Sequence, residues 1–115
     1  MTVKILHNPR CSKSRQTLAL IEGQGIVPEI IEYLKSPPSK DELKLILQQL
    51  GLKPRELMRK GESEYKENGL ADTNLTDEQL IDAMIAHPKL IERPIVLKGG
   101  QARLGRPPED VLEIL

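Results

Sequence analysis

Val3-Lys4-Ile5-Leu6-His7-Asn8-Pro9-Arg10-Cys11-Ser12-Lys13-Ser14-Arg15 carries the chain from a strand into a helix, and it holds the only cysteine among 115 residues. Residues 2–7 alternate loosely and predict a buried strand. Residues 12–24 predict a helix with Thr17, Leu18 and Ile21 inward, stopped by Gly23 and Gly25. Cys11 falls at the junction. A thiol there faces the unpaired N–H groups of a helix start and the positive end of its dipole. Both favour the thiolate, which is the reactive form. His7, Arg10, Lys13 and Arg15 add basic groups nearby, and the same amides and charges would seat a small oxyanion. The ordinary alternative for a free cysteine is a small buried hydrophobe. Its polar, basic neighbours argue against that. Three residues on stands Ser14, so the motif is C-x-x-S, and any disulfide cycle must borrow its second thiol from outside this motif.

Composition narrows the possibilities further. The length suits one domain, residues 1–115, able to bury roughly two-thirds of its unfolded surface without staples. One cysteine excludes an internal disulfide, and with only two histidines it argues against a zinc site. Seventeen basic and seventeen acidic residues balance, which gives no general reason to expect nucleic acid or a membrane as partner. Two tyrosines with no Phe or Trp make base stacking a poor reading. The start of the chain does not resemble a signal peptide and no apolar run has the length of a membrane span, so a reducing cytoplasm is the expected setting.

Val27 to Tyr33 predicts a second strand, with Pro28 at its start where a lost N–H is tolerated. Ser39 with Glu42, and Thr76 with Gln79, are capping boxes ahead of the apolar runs Leu43-Ile46-Leu47-Leu50 and Leu80-Ile81-Met84-Ile85. Between them Pro54 opens a short helix that Arg59 closes, and Glu62 to Asn68 adds a turn or two. Pro94 to Leu97 predicts a third strand, Gly99-Gly100 a hairpin turn, and Gln101 to Leu104 a fourth strand. Pro107-Pro108 starts a last short helix. The order is β-α-β, several helices, then β-β-α, with a right-handed first crossover. This is an α/β arrangement of the thioredoxin type: a mixed four-stranded sheet with a helical insertion, at about 36–90, between its βαβ and ββα halves.

That layout puts the residue before the proline of strand three, Arg93, beside the cysteine. Arg93, Arg106 and Arg59 could grip a tetrahedral oxyanion through paired N–H donors. Each taken alone is as readily a surface arginine, and Arg55, Lys60 and Arg103 keep that reading. His7 could support the thiolate or simply hold the strand end, and His87 beside Pro88 suits a capping role. Asn8 and Ser14 could bond the thiolate or the anion, or serve as loop and first-turn residues. Pro94 is a candidate cis proline facing the nucleophile.

The run H-N-P-x-C-x-x-S-R from His7 resembles the glutaredoxin-linked arsenate reductase family. So do Y-L-x-x-P-P-S from Tyr33, L-M-R-K from Leu57, L-I-D-A-M from Leu80, H-P-x-L-I-x-R-P-I-V from His87 and R-L-G-R-P from Arg103. The resemblance implies a thioredoxin-like fold, Cys11 as nucleophile, Arg59, Arg93 and Arg106 as arsenate ligands, and His7 and Ser14 as supports of the thiolate. It implies arsenate as substrate, glutathione as co-substrate with no bound cofactor or metal, and glutaredoxin as reductant, in a cytoplasmic monomer. Dedicated arsenate reductases more often carry Gly-Thr after the cysteine, where this chain has Ser12-Lys13. Two rival readings are a glutathione-dependent thiol reductase of the same fold and a non-enzymatic thiol-based regulator. Regulators with a redox switch typically use C-x-x-C, and Ser14 argues against one here.

Overall fold

The computed structural model describes residues 2–115, which divide into two compact units: residues up to Ser36 together with Arg93–Leu115, and Pro37–Glu92.

The first unit is a four-stranded sheet in the order β2-β1-β3-β4, with β1 at Val3–Leu6, β2 at Glu29–Ile31, β3 at Ile95–Lys98 and β4 at Gln101–Leu104. β1 runs parallel to β2 and antiparallel to β3, and β3 and β4 form a hairpin. Alternation sends Val3 and Ile5 to one face. There they pack with Val96, with Ile21 of helix α1 (Ser12–Gly23), and with Val111 and Ile114. Ile5, Ile21, Val96 and Val111 are fully withdrawn from water, and each such side chain contributes about 1.5–3 kcal/mol.

Packing stabilises this sheet, and its register decides which loops meet. Leu6 pairs with Ile95, and Ile95 with Leu104. These three residues form one row across the sheet, so the segments just beyond them all emerge at the same end: His7 to Cys11, Arg93-Pro94, and Gly105-Arg106. Gly105 N–H donates to Pro94 O at 3.0 Å and carries the ladder one step past the strands.

Two elements differ from the sequence expectation. β2 is three residues long rather than seven. Val27 precedes Pro28, which has no N–H to offer, and it stays 94% exposed. Beyond Ile31, both Lys35 and Ser36 donate to Glu32 O at 3.0 Å, so the chain turns instead of pairing. The last helix, Pro108–Ile114, winds as a 3-10 helix. With three residues per turn, Pro108, Val111 and Ile114 share one side, and all three are buried.

The second unit is helical: α2 Lys40–Leu50, α3 Pro54–Leu57, α4 Ser63–Glu67, α5 Asp77–Ala86 and a 3-10 turn at Pro88–Leu90. Both capping boxes form, Ser39 with Glu42 and Thr76 with Gln79. Leu43, Ile46 and Leu47 of α2, and Leu80, Ile81 and Met84 of α5, are buried. On the outside Lys40 bridges Glu78 at 2.6 Å and Asp82 at 3.1 Å, and Lys44 reaches Glu78 at 2.7 Å. Hydrogen bonds from Lys40 and Lys44 lower the Glu78 carboxyl to about 2. Arg55 ties α4 and the segment after it by donating to Tyr65 Oη of α4 (2.8 Å), Leu70 O (2.6 Å) and Asp72 O (2.8 Å). No helix among the described residues is long and apolar enough to cross a membrane.

Candidate active site

Cys11 is the N-cap of α1, with extended backbone angles (φ −93°, ψ 123°). Its carbonyl accepts the Arg15 N–H and its own N–H donates to Asn8 O, both at 3.0 Å. It is buried. The turn before it is tied down by side chains. Asn8 Oδ1 accepts the Arg10 N–H at 3.0 Å, and Arg15 Nη1 donates to Pro9 O at 2.9 Å. Asn8 thus shapes the loop through its carbonyl oxygen, the turn role that asparagine commonly plays.

Ser14 stands one helical turn after Cys11, and its side chain is completely buried. Its Oγ accepts the Asn8 N–H at 3.0 Å and lies 2.6 Å from His7 Nδ1. The pair shares a hydrogen along that line, and the tautomer of the ring decides which atom donates. The structure therefore joins His7, Asn8 and Ser14 into one network around the loop that ends in Cys11. Burial lowers the His7 pKa below 6.5, opposed by nearby Glu32 and assisted by Arg15. Unfolded chains take up the histidine proton first, so the stability linked to neutral His7 is intact above pH 6.5 and is lost as pH falls through the lowered folded value. Urea melts of the wild type should lose stability from pH 6.5 downward more steeply than melts of His7→Gln. Parallel slopes would show that His7 does not titrate on unfolding.

A cleft of about 300 Å³ opens beside this loop, with His7, Asn8 and Arg10 on one side and Glu32, Leu34 and Lys35 on the other.

Arg93 and Arg106 are brought together at the same end of the sheet. Arg106 Nε donates to Arg93 O at 2.8 Å, and the Nε and Nη1 atoms of Arg93 are shielded from solvent. Both arginines precede a cis proline, Pro94 and Pro107. Gly105 sits between them in the ladder. Its φ is not positive, so it is required for space and not for backbone freedom. A Cβ there would overlap Thr17 Oγ1 and come within 2.7 Å of Pro94 Cγ.

Arg59 belongs to the second unit. It does not end a helix, because α3 stops at Leu57 and Met58 is paired in a short bridge with Ile91. The Arg59 guanidinium meets two carboxylates, Glu62 Oε1 at 2.5 Å from Nη1 and Glu92 Oε1 at 3.6 Å from Nε. Glu62 lies only three positions from Arg59, within view of a local reading. Glu92 lies far along the chain from Arg59, and local patterning carries no sign of it.

A mixed four-stranded sheet in this strand order, with the first helix starting directly after β1 at a cysteine, defines a thioredoxin-like protein. The chain belongs to the ArsC family, whose pattern matches residues 6–114. It is 55% identical to Uncharacterized protein YfgD of Escherichia coli strain K12, over 98% of this chain and 96% of that one. It is 49% identical to Arsenate reductase of Neisseria meningitidis serogroup A, over 98% and 97% of the two chains. Among solved structures, Arsenate reductase from Vibrio cholerae superimposes with a TM-score of 0.97 at 61% identity, covering 100% of this chain and 98% of that one.

Proposed function

We propose that this protein reduces arsenate to arsenite, with Cys11 as nucleophile and glutathione and glutaredoxin as the source of electrons. One observation carries the reading: the row Leu6–Ile95–Leu104 delivers the Cys11 loop, Arg93 and Arg106 to one end of one sheet. A nucleophile and two guanidinium groups gathered in this way suit a tetrahedral oxyanion. The relatives named arsenate reductases, similar over nearly the whole chain, support the same substrate.

In the proposed cycle the Cys11 thiolate attacks As(V), an S–As bond forms, and an arsenate oxygen leaves as water. The thiolate of glutathione then attacks the adduct. The S–As bond breaks, an S–S bond forms between Cys11 and glutathione, and the electron pair stays on arsenic as As(III). Glutaredoxin takes the glutathione from Cys11 and restores the thiol. Arg59, Arg93 and Arg106 hold the anion, the His7–Ser14 pair supports the thiolate, and Asn8 keeps the loop in shape. No bound cofactor is needed, and the reducing cytoplasm supplies the thiols to a monomer. Phosphate has nearly the same shape and charge, so selection against it lies in chemistry: a thiolate reduces As(V) and leaves phosphate unchanged.

The test is arsenate-dependent NADPH oxidation, coupled through glutathione, glutaredoxin and glutathione reductase. Turnover is expected with arsenate. Absence of it, with faster turnover on a glutathionylated peptide, would transfer the activity to disulfide exchange. Within this assay Arg93→Ala should raise the arsenate KM by about ten- to a hundredfold, the worth of a charged hydrogen bond. An unchanged KM would make Arg93 a structural residue.

A further inference from the structure

The two carboxylates on Arg59 are not equivalent. Glu62 Oε1 touches Nη1 at hydrogen-bond distance, 2.5 Å, and Glu62 N–H also donates to Arg59 O at 3.3 Å. Glu62 is thus an anchor, joined to Arg59 through both side chain and backbone. Glu92 Oε1 stands 3.6 Å from Nε, an ion-pair separation longer than a hydrogen bond. Its place is set by backbone pairing: Arg59 N–H donates to Leu90 O at 2.7 Å, and Glu92 N–H donates to Leu57 O at 2.8 Å, on either side of the Met58–Ile91 bridge. Both acids and the arginine remain about a quarter exposed, so an anion can reach them.

We infer that Glu92 makes the Arg59 position selective for oxyanions that carry a hydroxyl. The inference rests on Arg59 being an oxyanion ligand, as the proposed function has it. An anion that approaches Arg59 on its Nε side meets a carboxylate at the same edge. A fully deprotonated tetrahedral anion brings only acceptors, and its oxygens and the Glu92 oxygens repel across a short gap. An anion with an O–H donates that hydrogen to the Glu92 carboxylate while its other oxygens accept from the guanidinium. Arsenate and phosphate carry such a hydroxyl at neutral pH, and sulfate does not. A carboxylate beside the guanidinium discriminates against an analogue that lacks an O–H, because its oxygens then face only other acceptors. Glu62 acts differently. It is a positioning residue that fixes the plane of the guanidinium from the Nη1 side.

The experiment compares sulfate with phosphate as inhibitors of arsenate turnover in the wild type, Glu92→Gln, Glu92→Asp and Glu62→Gln. The quantity read is the ratio of the two inhibition constants within one preparation, which cancels any loss of folded protein. In the wild type, sulfate should inhibit at least about tenfold more weakly than phosphate. Glu92→Gln should shrink that ratio by about tenfold, because an amide can donate to sulfate. Glu92→Asp should keep most of the preference, and Glu62→Gln should keep the ratio while raising the arsenate KM. A ratio in Glu92→Gln equal to that of the wild type would overturn the inference and leave arsenate reduction standing. Absence of arsenate turnover in the wild type would instead remove the reading beneath it.

Discussion

Cys11→Ser should abolish arsenate turnover, by at least about 10³-fold, while leaving the anion seat in place. A hydroxyl replaces the thiol with the same connectivity and a small loss of volume at a buried position, and serine is itself a favoured N-cap residue, so the N-cap geometry and the Arg15 N–H to Cys11 O bond should be kept. What disappears is the sulfur chemistry. A serine oxygen is a poor nucleophile at neutral pH, and it has no route to a disulfide with glutathione, so no electron pair reaches arsenic. The check has two parts: the coupled assay for turnover, and protection against thermal unfolding by arsenate for binding. Lost turnover with retained protection fits the proposed role. Retained turnover would remove Cys11 from the chemistry, and lost protection would mean that the sulfur itself belongs to the anion seat.

Gly105→Ala is expected to do the most damage for the least added matter. The new methyl would overlap Thr17 Oγ1 and press on Pro94 Cγ at 2.7 Å. Neither neighbour can yield cheaply. Thr17 is fully buried on α1, with its hydroxyl donating to Lys13 O at 2.8 Å, and Pro94 follows Arg93 directly at the start of β3. Overpacking of this kind costs about 1–3 kcal/mol, read as a shift in the urea midpoint. The displaced groups are also the supports of the candidate site, since α1 begins at the proposed nucleophile and Pro94 and Gly105 each adjoin a candidate clamp arginine. A displacement approaching 1 Å can cost about a hundredfold in rate, so kcat/KM should fall more than the loss of folded protein explains. Thr17→Ala in the same chain should recover part of both losses, a coupling that a double-mutant cycle measures directly. Additive losses would show that the contact with Thr17 is not the cause.

How far the sequence can be read depends on how local each cause is. The β1–α1 junction is legible because strand alternation, helix periodicity and a lone cysteine all mark the same few residues. Ser39 with Glu42 and Thr76 with Gln79 are legible because a capping box is complete within four positions. The extent of β2 is not, since its start is decided by Pro28, which offers no N–H to a neighbour, and its end by the turn of residues 32–36. The 3-10 winding at the end is equally hidden until Val111 and Ile114 have a sheet and α1 to pack against. Among the site residues, Cys11, His7, Ser14 and Asn8 lie within eight positions of one another and can be grouped by inspection. Arg93 and Arg106 are placed by the order of the strands. Patterning puts Arg59 at a helix end, which the structure corrects, because Met58 pairs with Ile91, a contact no window spans. Glu92 and Gly105 escape sequence reasoning for the same reason. One acts through a bridge between distant segments and the other through an absence of volume, and neither leaves a mark in its own neighbourhood.

The row Leu6–Ile95–Leu104 has a temporal consequence as well as a spatial one. Its central pair joins segments almost at opposite ends of the chain, with the whole of Pro37–Glu92 between them. α1 and its turn can form from nearby residues alone, but the arginines arrive only when this long loop closes, the slow kind of step in a folding reaction. A chain that has made its helices yet not its central strand pair carries the thiol without the two guanidinium groups proposed to hold its substrate. Completion of the sheet is therefore the moment at which the thiol gains Arg93 and Arg106 at its end of the sheet.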